Sequence, residues 1–310
     1  MPPLPDPLAE SVKSPAGRPS RPAAWWLASR PRTLTISLSP VLVGSAIAHA
    51  ETGQFLFWPA CCALLAALLI QVGTNLHNDV ADFERGADTP DRLGPARATA
   101  MGWLPADVVR RGAWLAFALA FLLGIFLVAR GGWPIVLIGL LSLAAGWAYT
   151  SGPRPIAYTP LGEFFVLIFF GFAAVAGSYY LQALTISSAA VLAGVMLGAF
   201  AAAVMSVNNT RDLLTDRSAG KHTLAVVAGR RRMNGIYVAE VLLPFLLLPL
   251  LAVQLERGVW MALPCLLAGS AFSLCRRFSA TEGVVFNQLL AETARLQAVF
   301  SLLLVAALSV

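Results

Sequence analysis

Two short stretches of the chain combine side-chain oxygen donors at regular helical spacing. In the first, Asn75, Asp79 and Asp82 lie at i, i+4 and i+7, which places their oxygen atoms on one face of a helix. In the second, the same residue types recur every four positions, at Asn208, Asp212 and Asp216. Carboxylate and amide oxygens are the ligands that Mg²⁺ prefers, usually together with phosphate oxygens of a substrate.

Basic residues accompany both stretches and favour an anion beside the cation, because guanidinium and ammonium groups bind phosphate oxygens directly. We therefore expect a shared Mg²⁺ and diphosphate site. The candidate metal ligands are Asp79, Asp82, Asp212, Asp216 and Asn75. The candidate diphosphate-binding residues are Asn75, Asn78, Arg85, Arg97, Asn208, Arg211 and Lys221.

A simpler interpretation is that these residues form solvated helix ends, with acidic and basic side chains pairing on the surface. A single pair of spaced Asp residues would favour that interpretation. Two clusters with matching spacing, each at the end of a long apolar segment, instead favour a shared site. Acidic residues at a membrane edge are costly and usually functional.

The polar stretches lie in a chain that is otherwise apolar. Of its 310 residues, 58% are hydrophobic and 12% are charged, whereas a soluble domain carries about 25% charged residues. Apolar runs of about 18 residues or more can cross the hydrocarbon core of a bilayer. The sequence therefore predicts an all-α polytopic membrane protein. Its nine transmembrane helices are predicted at 33–50, 56–77, 110–130, 133–150, 162–183, 187–207, 235–254, 258–275 and 292–310.

Positive charges are distributed unequally between the two sides of the predicted membrane. With the N-terminus in the cytoplasm, cytoplasmic segments carry twenty Lys and Arg residues, and the opposite side carries only Arg130 and Arg257. This bias predicts a cytoplasmic N-terminus, an external C-terminus and both acidic clusters on the cytoplasmic side. Residues 1–22 are predicted to be a disordered cytoplasmic tail, and residues 23–310 a single nine-helix domain.

Several other classes of function lack support in the sequence. The basic residues flank apolar segments and are not interleaved with aromatic residues on a soluble face, so nucleic acid is not an expected partner. No dinucleotide-binding, Walker or Ser/His/Asp pattern is present in the sequence. An ion-coupled transporter, which would use the paired polar helix ends as an ion site, stays open as an alternative of a different class.

A third group of polar residues borders the middle predicted cytoplasmic loop. These residues could bind an aromatic acid, although Tyr at a membrane edge is usually an interfacial anchor. The candidate acceptor-binding residues are Tyr149, Arg154, Tyr158 and Glu163. Glu240, within the seventh predicted span, is an acid without an obvious partner.

Motifs along most of the chain carry a resemblance to a known family. They are the stretches Arg30 to Leu34, Asn75 to Asp88, Asn208 to Thr223 and Asn287 to Ala294. Over about residues 25–310, the chain resembles the UbiA superfamily of intramembrane prenyltransferases. Within that superfamily it looks most like the branch that acts on 1,4-dihydroxy-2-naphthoate in menaquinone biosynthesis.

The resemblance implies a fold and an activity. It implies a UbiA-type bundle in the bacterial plasma (inner) membrane, with the active site facing the cytoplasm. It also implies Mg²⁺-dependent transfer of a polyprenyl chain from polyprenyl diphosphate to the naphthoate, with decarboxylation to a demethylmenaquinone. The implied catalytic residues are Asp79, Asp82, Asp212 and Asp216. Other aromatic acceptors (4-hydroxybenzoate, homogentisate or a tetrapyrrole) stay open, as does the oligomeric state.

Overall fold

Helices make up the regular structure of the part of the chain that the computed structural model describes, residues 19–88 and 92–310. A short first helix precedes the apolar ones, and a second short helix lies between two of them. The helices are α1 (Arg21–Ala28), α2 (Pro31–Thr52), α3 (Phe57–Glu84), α4 (Ala106–Gly131), α5 (Trp133–Ala148), α6 (Gly162–Ala183), α7 (Ser188–Arg211), α8 (Leu213–Ser218), α9 (Leu224–Gln254), α10 (Val259–Ala280) and α11 (Phe286–Leu308).

Among the described residues, eight helical segments are long and apolar enough to cross a membrane. They are α2, α3, α4, α6, α7, α9, α10 and α11, the last with the preceding turn from Gly283. The remaining predicted span, at 133–150, corresponds to α5, which is apolar but has only 16 residues. The prediction of an all-helical membrane protein is confirmed for the described residues.

The predicted tail, 1–22, falls largely outside the described residues, which begin at residue 19. Its last two residues were assigned wrongly, because α1 begins at Arg21. Pro22 stands in the first turn of α1. Proline is favoured there, since its fixed φ suits the helix and its missing N–H would have no partner.

Two helices extend beyond their apolar runs into the polar clusters. α3 continues to Glu84 and α7 to Arg211, although their apolar runs predict ends at 77 and 207. The first cluster therefore projects from the last turns of α3. The second is divided between the last turn of α7, which carries Asn208, the cap residue Asp212 and the short helix α8, which carries Asp216. A helix positions a side chain more rigidly than a loop does.

The start of α9 also differs from the prediction. The α9 segment begins at Leu224, well before the predicted start at 235, but it is interrupted at Gly229, whose φ of 77° is not helical. The basic residues at 230–232 begin the longer helix that follows this kink. The side-chain oxygen of Thr223 accepts a hydrogen bond from the Val226 N–H, which satisfies one of the free donors of the first turn. The connection between α8 and α9 is consequently short.

α7 lies at the centre of the bundle and approaches α6 closely. A Cβ atom placed on Gly171 of α6 would lie 2.3 Å from the Gly194 carbonyl oxygen and 2.7 Å from the Gly198 Cα. Glycine at these positions allows the two backbones to meet, as small residues do between membrane helices. α6 contains a π-helical segment, Leu167–Ala173, around Gly171. This contact fixes α7, and so the second polar cluster, against the rest of the bundle.

Connecting segments from different parts of the chain meet at one end of the bundle. The His222 N–H donates to the Tyr158 carbonyl at 3.0 Å, and the Asn287 Nδ2 donates to the Leu93 carbonyl at 2.8 Å. Arg85 donates to the carbonyl of Thr150. Both polar clusters are therefore covered by the same set of loops.

Candidate functional site

A cavity of about 710 Å³ runs through the bundle next to α3 and α7. Its lining on α3 extends from Ala63 to Asp82, which is about 28 Å at the rise of a helix. Most of the wall is apolar, and several wall residues, among them Phe121, Ile125 and Leu140, are also exposed on the outside of the bundle. The cavity therefore has one polar end and a long apolar body that reaches the lipid-facing surface.

The polar end brings the two clusters together. Asn75, Asn78 and Asp82 reach it from α3. Asn208, Asn209, Asp212 and Asp216 reach it from α7 and the adjoining α8. The charged lining of the cavity consists of three carboxylates, from Asp82, Asp212 and Asp216, and four cations, from Arg30, Arg92, Arg97 and Lys221. Such a mixture suits a cation bound together with a polyanion.

In each cluster, one arginine donates hydrogen bonds to an Asn and to the Asp four positions later. Arg97 Nη2 donates to Asn78 Oδ1 at 2.6 Å and to Asp82 Oδ2 at 3.0 Å. Arg211 Nη2 donates to Asn208 Oδ1 at 2.9 Å and to Asp212 Oδ2 at 2.5 Å. The corresponding pairs are therefore Asn78 with Asp82 and Asn208 with Asp212.

The two arginines differ in what else they contact. Arg97 lines the cavity, whereas Arg211 is not among the lining residues and is 5% exposed. Arg211 also donates through Nε to Asp212 Oδ1 at 2.8 Å and through Nη1 to Asn287 Oδ1 at 2.8 Å. All three guanidinium nitrogens of Arg211 are used by the protein. The predicted diphosphate contact of Arg211 is not favoured by this geometry.

Lys221 and Tyr158 connect the two clusters. Lys221 Nζ lies 3.3 Å from Asp216 Oδ1 and 4.9 Å from the centre of the Tyr158 ring, and the Tyr158 hydroxyl lies 3.5 Å from Asp82 Oδ1. Burial lowers the pKa of Lys221, but the negative charges of Asp82 and Asp216 outweigh it and raise the pKa above its ordinary value. The ammonium group therefore stays charged next to the carboxylates.

Burial also raises the pKa values of two carboxyl groups at this end. Asp216 has a raised pKa, chiefly through burial, although Lys221 opposes the shift. Asp88, which the sequence places beyond the first helical face, pairs with Arg92 at 2.8 Å and lies 3.6 Å from Arg97 Nε. Burial raises the pKa of Asp88 to about 6, against the effect of Arg92. Asp88 thus holds two of the cavity's arginines.

Asp79 lies apart from the other carboxylates of the clusters. It is not among the residues that line the cavity, and its carboxylate accepts the Ala98 and Thr99 N–H groups, each at 3.0 Å. Among the described residues, no group of three or more His, Cys, Asp or Glu side chains is arranged to hold a metal ion alone. The prediction that Asp79 is a metal ligand is not favoured by its position.

The remaining predicted site residues divide between the cavity wall and the surface. Tyr149 lines the cavity, and its hydroxyl lies 3.3 Å from Met205 Sδ. Glu163 is buried behind the wall, where it accepts from the Nδ2 of Asn209, a lining residue, at 2.8 Å. Arg85 and Arg154 are exposed and do not line the cavity.

Two cationic lining residues were absent from the sequence prediction of the site. Arg30 Nη2 donates to Asn78 Oδ1 at 2.9 Å, and Arg92 enters through its pairing with Asp88. Arg30 has a φ of 54°, a left-handed conformation that costs free energy in a residue other than glycine and is common at functional sites. The Arg-Pro-Arg stretch before the first apolar run was the only sequence signal for Arg30.

The model of the UbiA prenyltransferase family matches residues 37–284 of the chain. Curated relatives include the 1,4-dihydroxy-2-naphthoate octaprenyltransferases of Escherichia coli K12 and Bacillus subtilis 168. The first is 39% identical over 216 residues, which cover 68% of this chain and 70% of the relative. The second is 31% identical over 266 residues, which cover 85% of this chain and 83% of the relative.

Solved structures share the same fold. A UbiA homolog from Archaeoglobus fulgidus bound to DMAPP and Mg²⁺ has a TM-score of 0.65 at 15% identity, covering 93% of this chain and 99% of that chain. The apo structure of a UbiA homolog from Aeropyrum pernix K1 has a TM-score of 0.67 at 16% identity, covering 88% and 96%. At these identities the likeness establishes the fold.

Proposed function

The chain belongs to the UbiA prenyltransferase family, and we propose that it transfers a polyprenyl chain from polyprenyl diphosphate to 1,4-dihydroxy-2-naphthoate. The observation that carries this proposal is the cavity with one charged end and a long apolar body. A polyprenyl diphosphate has the same division, since a polyanionic head is joined to a hydrocarbon tail. The relatives named for the naphthoate reaction support this choice of acceptor.

The diphosphate would bind at the polar end, where Arg30, Arg92, Arg97 and Lys221 line the cavity. Arginine and lysine in a site shielded from water attract phosphate oxygens strongly. Their charges also stabilise the leaving group as the C–O bond breaks and its electron pair stays on the diphosphate oxygen. Asn78 and Asn208 hold Arg97 and Arg211 beside the carboxylates.

The oxygen donors at this end fit a magnesium ion. Mg²⁺ is usually held by one or two carboxylates together with phosphate oxygens of the substrate, and Asp82, Asp212 and Asp216 supply such carboxylates. When bound, Mg²⁺ would neutralise part of the diphosphate charge and make it a better leaving group. Asn75, predicted as a further ligand, lines the cavity but donates through Nδ2 to the Ser29 carbonyl at 2.9 Å, which leaves its side-chain oxygen for the site.

The apolar body would hold the tail and protect the reaction from water. The allylic carbon becomes electron-poor as the C–O bond loosens, and exclusion of water prevents its hydrolysis. The ring carbon that bears the carboxylate of the acceptor then donates a π-electron pair to form the new C–C bond. Loss of CO₂ returns an electron pair to the ring, which stays at the hydroquinone level, so the product of this step is demethylmenaquinol. Its oxidation to demethylmenaquinone is a separate reaction. Tyr149, in the wall near the charged end, is our candidate for acceptor contact.

The distribution of positive charge supports a particular arrangement in the membrane. We propose that all nine apolar helical segments cross the bilayer, with α5 included as a short span. The N-terminus and the charged end of the cavity would face the cytoplasm of a bacterial inner membrane, and the C-terminus would lie outside. The chain from residue 23 onward would form one domain.

The proposal is tested by assaying the detergent-solubilised protein with Mg²⁺, a polyprenyl diphosphate and a panel of acceptors. The acceptors are 1,4-dihydroxy-2-naphthoate, 4-hydroxybenzoate and homogentisate, and product masses report the ring, the tail and the loss of CO₂. We expect product from the naphthoate alone, no turnover in EDTA, and recovery on adding Mg²⁺. Turnover in EDTA, or product only from another acceptor, would contradict the assignment.

Substitution of single carboxylates tests which of them are needed for catalysis. Asp82→Asn and Asp212→Asn each remove a charge from the polar end, and we expect kcat to fall by about 100-fold or more. Asp107→Asn is the matched control, because Asp107 is exposed on α4 and pairs with Arg111 away from the cavity. Unchanged kcat in both cavity variants would exclude these residues from catalysis.

A further inference from the structure

Asp79 is a buried carboxylate that the proposed metal site does not use. It is 2% exposed and lies outside the cavity lining, whereas Asn78 and Asp82 on the same helix line the cavity. Burying a charged group costs free energy unless hydrogen bonds compensate for its lost hydration. The contacts of Asp79 therefore indicate what it does.

The partners of Asp79 all belong to the segment that begins at Arg97. Asp79 Oδ2 accepts the Ala98 N–H at 3.0 Å, and Asp79 Oδ1 accepts the Thr99 N–H at 3.0 Å. The Thr99 hydroxyl donates to Asp79 Oδ1 and lies 3.0 Å from the Asp79 carbonyl oxygen. Both carboxylate oxygens are thus occupied by one short piece of chain.

That piece of chain is a helical turn whose first amides need partners. The Met101 N–H donates to the Arg97 carbonyl at 3.0 Å, so the turn starts at Arg97. The first N–H groups of such a turn have no acceptor within it, and a carboxylate is a strong acceptor for them. The carboxylate of Asp79, on α3, accepts these N–H groups, which the side chain of an N-cap residue next to the turn would usually accept. Ala98 and Leu104 also belong to the same buried apolar cluster as Val80 of α3.

Arg97 stands directly before the two amides that Asp79 holds. Its guanidinium must reach Asn78 Oδ1 and Asp82 Oδ2, at 2.6 Å and 3.0 Å, while facing the cavity. A shift of the backbone by about 1 Å would misplace a charged group of this kind and could lower activity about 100-fold. The position of Arg97 therefore depends on the carboxylate of Asp79.

We propose that Asp79 is a positioning residue that fixes Arg97 for diphosphate binding through the Ala98 and Thr99 amides, and that it is not a metal ligand. The inference rests on the proposed function, since Arg97 is taken to bind the diphosphate. It divides the acidic residues of the first cluster into two roles. Asp82 faces the cavity as a metal ligand, and Asp79 faces the loop.

The test compares Asp79→Asn with Asp82→Asn. The amide replaces one acceptor oxygen of Asp79 by a donor, so one of the two backbone contacts is lost with little change in volume. We expect the KM for polyprenyl diphosphate to rise about tenfold, the effect of one charge-assisted hydrogen bond, with the half-saturating Mg²⁺ concentration unchanged. Asp82→Asn should instead raise the Mg²⁺ requirement. A raised Mg²⁺ requirement in Asp79→Asn would overturn the proposal.

A double-mutant cycle shows whether Asp79 acts through Arg97. Arg97→Lys keeps the positive charge but loses the fork that contacts both Asn78 and Asp82. If Asp79 works by holding Arg97, the double variant Asp79→Asn/Arg97→Lys should have the diphosphate KM of Arg97→Lys alone. Additive effects on KM would indicate an independent role for Asp79 and would contradict the proposal.

Binding of inorganic diphosphate gives a readout that needs no turnover. With Mg²⁺ present, inorganic diphosphate should raise the thermal unfolding midpoint of the unmodified protein, and the diphosphate concentration required should increase about tenfold in Asp79→Asn. Equal requirements would overturn the positioning role. If the unmodified protein binds inorganic diphosphate but forms no prenylated product, the proposed function fails while the role of Asp79 is still measured.

Thr99→Val keeps the proposal testable if Asp79→Asn does not fold. The substitution removes the hydroxyl that donates to Asp79 and leaves both backbone amides in place. We expect a smaller rise in the diphosphate requirement, about threefold, again with an unchanged Mg²⁺ requirement. An altered Mg²⁺ requirement or an unchanged diphosphate requirement would contradict the proposal.

Discussion

At the scale of single residues, Arg97 and Arg211 illustrate how equivalent contacts serve different purposes. Each bridges an Asn and the Asp that follows it by four positions. Arg97 lines the cavity. Arg211 does not, and its other N–H groups donate to Asp212 and Asn287. We therefore assign substrate binding to Arg97 and the orientation of Asp212 to Arg211.

Arg211→Lys tests this assignment. Lysine keeps the charge but cannot contact Asp212, Asn208 and Asn287 together, so buried acceptors lose their donors. We expect a loss of about 2 kcal/mol of stability, measured as a lower thermal unfolding midpoint in detergent. The exposed Arg217, whose Nη2 lies 3.5 Å from the Val226 carbonyl oxygen, provides the control Arg217→Lys. Equal midpoints for the two variants would mean that the Arg211 network adds little.

At the scale of elements, close packing of α6 on α7 positions the second cluster. The carbonyl of Gly194 and the Cα of Gly198 leave no room for a side chain on Gly171. Backbone atoms cannot move aside as a flexible side chain can, so a methyl group there must separate the helices. Separation would also carry Asn208 and Asp212 away from α3.

Gly171→Ala is the corresponding prediction. We expect destabilisation of about 1 to 3 kcal/mol from overpacking, seen in the thermal unfolding midpoint, together with a lower kcat. Gly162→Ala on the same helix is the control, because no atom lies within 4 Å of a Cβ there and Gly162 does not line the cavity. The role given to this packing would be wrong if both variants behaved alike.

At the scale of the whole molecule, the loops at one end of the bundle are joined across large distances in sequence. Asn287 holds both Arg211 and the Leu93 carbonyl, and His222 holds the Tyr158 carbonyl. The cavity therefore has a covered polar end and an apolar body along the membrane. A water-soluble acceptor and a lipid-soluble tail could reach it from different directions.

The orientation of this polar end is testable by labelling. In a variant without the four native cysteines, Arg154→Cys lies on the loop side of the polar end and Gln54→Cys lies after α2, and both positions are exposed. A membrane-impermeant maleimide should label position 54 in intact spheroplasts and position 154 only in inverted vesicles. The reverse pattern would place the polar end outside the cytoplasm.

The sequence by itself determined the helical membrane bundle and the two groups of polar residues at one end of its cavity. Long apolar runs leave a backbone in lipid few options besides helices, and eight of the predicted spans correspond to described helices that are long and apolar enough to cross a membrane. The spacing of Asn and Asp residues identified both clusters that meet at the cavity. Helix ends were set less well, because polar residues continued α3 and α7 past their apolar runs.

Only the tertiary structure decided which residues of one type face the cavity. Asp79 and Asp82, or Arg97 and Arg211, have the same chemistry, and spacing fixes the face of a helix but not the segment packed against it. Asp79 meets the turn that begins at Arg97, so it leaves the cavity. Arg30 and Arg92 enter the cavity from segments far from either cluster's helical face. The sequence thus identified the carboxylate and amide side chains of the two clusters. Contacts between distant segments determined which of these side chains face the cavity.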